Sequence, residues 1–162
     1  MPPPQLRPTD SLHRAAKSLD IQGDKVLSSA YIRRPPSIEK NGNPQEGDKT
    51  GLSVGFAENE DLQAFIDRTR QVLSFRAVIR VSVGAVVGTN QPTGLGVEPF
   101  QGSEVKGNIT RMPYLEPTAE MTPQQRASIS AEIDEQRAVD LQRMLAGSSE
   151  VLIQGKFSRI EE

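Results

Sequence analysis

"FRAVIRVSVGAVV", Phe75 to Val87, is the stretch on which the fold turns. Phe75, Ala77, Ile79, Val81, Val83, Ala85 and Val87 make one unbroken apolar face, the period-two pattern of a strand. The other face carries Arg76, Val78, Arg80, Ser82, Gly84 and Val86. That alternation suits a strand with one face on a helix and the other partly wet. The run contains an arginine and is too short to span a bilayer.

Immediately upstream, Glu60 to Leu73 reads as the helix that covers this strand. Leu62, Phe65, Ile66, Thr69, Val72 and Leu73 recur at helical spacing. Asn59 is the expected N-cap. Glu58, Glu60 and Asp61 at the start, and Arg68 and Arg70 at the end, suit the macrodipole. Before it, "GLSVGF" (Gly51 to Phe56) reads as a short strand and "NGNPQEGDKT" (Asn41 to Thr50) as a loop. "VLSSAYIRR", Val26 to Arg34, alternates like a strand and is stopped by Pro35 and Pro36. It pairs on this reading with Gly51 to Phe56. "SLHRAAK", Ser11 to Lys17, reads as a helical turn capped by Asp10 or Ser11.

Downstream, "GTNQPTG" is a turn, and "LGVEPF" and "NITRMPY" are short strands. Thr122 to Ala146 reads as a second long helix. Thr122 caps it, Pro123 occupies its first turn, Gln125 completes a capping box and Gly147 closes it. Its apolar positions drift around half of the helix instead of forming a stripe. "VLIQGKF", Val151 to Phe157, is a final edge strand or a docked tail.

The expected fold is α+β: a small, mostly antiparallel sheet with one central packing helix and a long C-terminal helix. A single domain is expected over residues 11–157, with a flexible loop at 35–50. Residues 1–10 form a Pro-rich mobile arm, read either as a tail or as a polyproline ligand, and residues 158–162 a tail.

Composition removes several functions. The 162 residues include no cysteine and one histidine, which excludes disulfides, thiolate metal sites and a cysteine nucleophile. Lys and Arg number 19 against 21 Asp and Glu, so no strong basic patch announces nucleic acid. "MPPPQLRPTD" lacks the charged-then-apolar pattern of a secretory signal. The expectation is a cytoplasmic protein without membrane association, metal or cofactor.

The order "LHR", "SSAYIRRP", "GLSVGFA", "VLSFRAVIRVSVGAV", "GLGVEP", "GNITRMPY" resembles a group of small uncharacterised bacterial proteins, over roughly Ser11 to Ala146. That group carries a "vSSaAF" strand, a "gLSV" strand and a central valine-rich strand. The histidine of its "hA.I" segment is replaced here by Gly107 or Asn108. The resemblance implies a fold and no established activity.

Three functional readings follow. The first is a non-catalytic interaction module, or a component of a larger bacterial system, working with a protein partner. The second is an NAD-using transferase of the ADP-ribosyl type. His13 and Arg14, then Ser28–Ser29 or Ser53, then Glu98 or Glu104 stand in the order in which such folds hold NAD and stabilise a ribosyl cation. The third is an anion or RNA binder. Arg76 and Arg80 share a strand face, and Arg33 and Arg34 join them if Val26–Arg34 is the neighbouring strand, with Arg111 nearby. The competing expectation is salt bridging within the chain.

Overall fold

The computed structural model describes residues 6–38, 44, 45, 48, 51–117 and 119–160. In chain order its strands are β1 (Ser11–Ala16), β2 (Ile21–Gln22), β3 (Lys25–Val26), β4 (Ser37–Ile38), β5 (Pro44–Gln45), β6 (Leu52–Phe56), β7 (Phe75–Ser82), β8 (Gly96–Pro99), β9 (Lys106–Thr110) and β10 (Glu150–Phe157). The α-helices are α1 (Leu62–Thr69), α2 (Val83–Val87), α3 (Pro123–Ile129) and α4 (Glu135–Gly147). Six strands form one antiparallel sheet in the order β10-β7-β1-β6-β9-β8. The α+β class read from the sequence holds. β2–β3 and β4–β5 are separate two-stranded ribbons.

Both sheet faces are covered. Leu12, Ala16, Leu52, Val54, Phe56, Ala77, Ile79, Val81 and Ile109 form the main core with Leu141, Leu145 and Ala146 of α4. Phe65 and Ile66 of α1 pack with Val78 and Phe75. From Ala77 onward the apolar row of β7 therefore faces α4, and α1 takes Phe75 and the Val78 side. That reverses the expected pairing of the valine-rich face with the Glu60–Leu73 helix. The mixed row still offers Val78, and Ala15 opposite it in β1, enough apolar surface to seat one short helix.

β7 stops at Ser82, not Val87. The Ser82 hydroxyl accepts from the Ala85 N–H at 3.1 Å and starts α2. Val83 and Val86 still reach the core, so one apolar string serves strand and helix in turn.

Two N-terminal assignments are overturned. Ser11–Ala16 is a strand, not a helical turn, because β6 and β7 flank it on both sides. Val26–Arg34 is not a strand. Only Lys25–Val26 pairs as a strand, and Ser28–Tyr31 winds into a 3-10 turn. Ser29 Oγ donates to Asp20 Oδ1 at 2.8 Å, and the Tyr31 hydroxyl meets Ser149 Oγ at 2.6 Å. These local and tertiary bonds outweigh strand propensity. The expected hairpin with Gly51–Phe56 is absent; β6 pairs with β1 and β9.

α1 is shorter than its apolar pattern. Asp61, not Asn59, caps it by accepting from the Ala64 N–H at 2.8 Å. It ends at Thr69, with Arg70 as its cap.

The expected long helix at Thr122–Ala146 is two helices. The capping box at Thr122 and Gln125 forms, with bonds of 3.0 and 2.8 Å. The chain then breaks at Ser130–Glu132 and restarts at Asp134, which caps α4. Backbone bonds Tyr114 N–H to Glu132 O and Asp134 N–H to Tyr114 O tie the break to a neighbouring segment. The drifting apolar face has its reason here. Ile129 packs with Tyr114 and Met121, whereas Leu141 and Leu145 pack on the sheet.

The expected arm, loop and tail each include described residues that are hydrogen-bonded. Residues 1–5 lie outside the described residues, but the Arg7 N–H donates to Asp10 Oδ2 at 2.8 Å and Pro8 O accepts from the Gly84 N–H at 2.9 Å. Of the 35–50 loop, residues 39–43, 46, 47, 49 and 50 lie outside the described residues. Its described part includes β4–β5 and Asp48, whose N–H donates to Arg34 O at 2.9 Å. Of the 158–162 tail, residues 161 and 162 lie outside the described residues, and Ser158–Ile160 is hydrogen-bonded to the end of α1.

Candidate protein-docking surface

The proposed catalytic residues do not meet in one cleft. His13 and Arg14, adjacent on β1, point to opposite faces. His13 lies edge-on to the Phe65 ring of α1, 5.6 Å between centroids. Arg14 is on the core side, with Nε donating to Ala30 O at 2.8 Å and Nη1 to Ser53 O at 2.7 Å. Its guanidinium also stands 5.7 Å from the Tyr31 ring centre. Burial lowers the Arg14 pKa; Tyr31, Asp48 and Asp20 oppose the shift. Two of its nitrogens hold backbone carbonyls, so it works as a brace between β1, β6 and the 3-10 turn. Ser29 is spent on Asp20 and Leu19 O. The side chains of Ser53 and Glu98 are exposed, and Asn108 stands between them in the cross-strand register.

His13 has a defined surrounding. A register row runs Glu150, Arg80, His13, Gly55, Lys106 across β10, β7, β1, β6 and β9. Beside it, buried Glu60 accepts two bonds from Arg68, at 2.7 and 2.9 Å. Burial lowers the His13 pKa; Glu60 opposes this and Arg80 adds to it. Nδ1 is buried with no hydrogen-bond partner among the described residues.

The four arginines do not gather either. Arg33 is 5% exposed; it stacks 3.9 Å from the Tyr114 ring centre and donates to Asp48 O, Met112 O and Glu132 Oε1, each at 2.9 Å. Arg34 pairs with Asp48, and Arg80 with Glu150. Arg76 is exposed at the start of β7. The premise of a shared face fails because the neighbours of β7 are β1 and β10. Arg111 follows β9, three strands away.

Two clefts mark the C-terminal end of α4. One, about 810 Å³, is lined by Asp24, Lys25, Val26, Arg143 and Ala146 among others. The second, about 520 Å³, is lined by Arg80, Glu150 and the hydroxyls of Ser11, Ser82 and Ser148 among others. Ser28 lines the first, and neither is lined by His13, Arg14, Ser29, Ser53 or Glu98. Among the described residues, no group of three His, Asp or Glu is placed to hold a metal ion. No helix among them is long and apolar enough to cross a membrane.

A different surface stands out at the opposite end of β7. After α1, the chain turns through residues 70–74 with Val72 65% and Leu73 37% exposed. Ser158–Ile160 crosses this turn. The Ile160 N–H donates to Arg70 O at 2.7 Å, Arg70 Nε to Ser158 O at 2.8 Å, and the Arg159 N–H to Ser74 Oγ at 2.8 Å. Stacking of Phe157 on Phe75, at 4.9 Å, anchors the crossing. Ile160 is 40% exposed. Two segments far apart in sequence thus present three large apolar side chains to solvent. Arg70, Arg76, Lys156 and Arg159 lie on the same two chain segments, within a few residues of them, and no carboxylate partner for these four exists among the described residues.

Sequence reasoning missed this surface. Val72 and Leu73 continue the α1 stripe in phase, so periodicity alone assigns them to the core. The one local signal is the polar pair Arg70–Gln71 ahead of them.

No family model matches the chain, and neither a curated protein nor a solved structure is found to be similar to it.

Proposed function

We propose that the chain is a non-catalytic protein-binding module whose partner seats on Val72, Leu73 and Ile160. The observation that carries this is the pinned crossing of Ser158–Ile160. Ordering an extended segment costs about 1 kcal/mol or more per residue, and here the ordered segment holds Ile160 partly in water. In the isolated chain that ordering brings little burial in return. A partner covering the three side chains adds about 25 cal/mol for each Å² of apolar surface removed from water. An apolar centre with a rim of arginines is the ordinary anatomy of a protein interface. The dispersal of the five enzyme candidates favours binding over catalysis.

The test is affinity capture from the source organism with three baits: the native chain, Val72→Asp and Leu19→Asp. Leu19 is 83% exposed and lies on the 3-10 turn Ser18–Asp20. A stoichiometric protein held by the native chain and Leu19→Asp but lost with Val72→Asp is the expected result. Equal capture by all three baits removes the reading.

A further inference from the structure

The rim chemistry says what kind of partner the surface takes. Across residues 66–76 and 153–160 there are five basic residues, Arg68, Arg70, Arg76, Lys156 and Arg159, against one acidic, Asp67. Arg68 is committed to Glu60, and Asp67 receives a bond from Gln63 Nε2. Four cations without a carboxylate partner among the described residues remain on the two segments that carry the three apolar side chains. Glu161 and Glu162 follow in the sequence and lie outside the described residues.

Resting on the docking surface above, we propose that its occupant is an acidic amphipathic segment of another protein. Such a segment is a short helix with a narrow Leu/Ile/Phe stripe flanked by Asp and Glu. Three apolar side chains match the i, i+3, i+4 anchors of one helical face. Carboxylates at either side of that stripe reach the rim, where arginine supplies planar two-toothed hydrogen bonding. A partner with basic or neutral flanks leaves Arg76, Lys156 and Arg159 bonded to water alone, and Arg70 to Ser158 O and water.

An anionic membrane is the rival polyanion and fits less well. The chain as a whole carries a net charge of −2, so the long-range field does not draw it to a charged sheet. No tryptophan is present, and the rim is chiefly arginine. Its charge acts at contact range, on individual carboxylates.

A displayed library of short, helix-forming peptides with randomised faces tests this. The native chain is the target, and Val72→Asp is used for counter-selection so that only ligands of this surface survive. The expected result is enrichment of an apolar stripe flanked by Asp and Glu. A synthetic peptide of that type then binds with affinity that falls steeply between about 0.05 and about 0.5 M salt. It loses roughly tenfold or more when Arg76→Glu and Arg159→Glu are combined. Enrichment of apolar peptides with neutral or basic flanks overturns the acidic partner and leaves the docking surface standing. A selection that cannot distinguish the native chain from Val72→Asp overturns the surface itself. Sedimentation with phosphatidylserine vesicles, abolished in Val72→Asp and without enrichment of acidic peptides, overturns the inference in favour of a membrane.

Discussion

Gly55 lies directly beneath the ring of Phe65. A Cβ at position 55 would stand 2.6 Å from Phe65 Cδ2 and 3.2 Å from Glu60 Oε1. The glycine lets α1 descend onto β6 closely enough to cover His13. Gly55→Ala forces the ring or the helix outward, and overpacking of this kind costs about 1–3 kcal/mol. Urea denaturation measures it. Phe65→Leu should recover part of the loss in the double variant, and strict additivity of the two substitutions would show that they do not share the contact.

Arg33 is a buried structural cation, with aromatic, carbonyl and carboxylate partners on separate segments. Arg33→Ala removes the stack on Tyr114 and leaves the Met112 and Asp48 carbonyls unbonded, while half-exposed Glu132 regains water, a loss of about 1–3 kcal/mol. Arg33→Lys keeps the charge without the planar fork or the stacking, so little stability returns. Thermal unfolding checks both. A lysine variant as stable as the native chain contradicts the clamp.

His13 makes stability depend on pH. Its pKa in the fold lies below the ordinary 6.5, chiefly because burial disfavours the imidazolium. The unfolded chain therefore binds the proton at higher pH than the folded one, and stability rises with pH. The contribution is complete above about 6.5 and is lost on acidification from there down to the folded pKa. Facing groups are Glu60, which opposes the shift, and Arg80, which reinforces it. Chemical unfolding of His13→Gln across this range should show a flatter profile than the native chain, and an unchanged slope would assign the effect to other groups.

The Tyr31–Ser149 bond links the 3-10 turn to the loop before β10, because Ser149 Oγ in turn donates to Leu145 O at 2.6 Å. Burial raises the Tyr31 pKa, while Ser149 and Arg14 lower it, so the hydroxyl keeps its proton at neutral pH. Tyr31→Phe should cost about 1 kcal/mol. A double-mutant cycle with Ser149→Ala should give a coupling of about 0.5 kcal/mol or more; zero coupling would mean the bond contributes nothing.

Val72→Ser and Ile160→Ser should leave stability within about 0.5 kcal/mol of the native chain. Differential scanning calorimetry decides this. A loss of several kcal/mol would place these side chains in the core and weaken their use as a docking surface.

Long apolar alternation and helix punctuation were readable in the sequence. β6, the first eight residues of the strand expected at Phe75–Val87 and the Thr122 capping box stand where local pattern puts them, since few alternatives satisfy those residues. Tertiary partners decided the rest. Ser11–Ala16 has helical composition but is flanked by strands on both sides. Ser28–Tyr31 has strand composition but its hydroxyls find closer partners in a turn. The break at Ser130–Glu132 answers to Tyr114, which no window around residue 130 contains. The docking surface was illegible for the same reason, because Ile160 reaches the end of α1 only through the pairing of β10 with β7.

That pairing bears on how the chain assembles. β7 lies between β1, which precedes it, and β10, which a ribosome delivers about seventy residues later. Until residue 150 emerges, the flank of the most aliphatic strand is an open row of unbonded N–H and C=O groups, a template for any passing strand. Nascent chains stalled or cut between α4 and β10 should therefore depend heavily on chaperones, and the closing strand acts as the seal that ends that exposure.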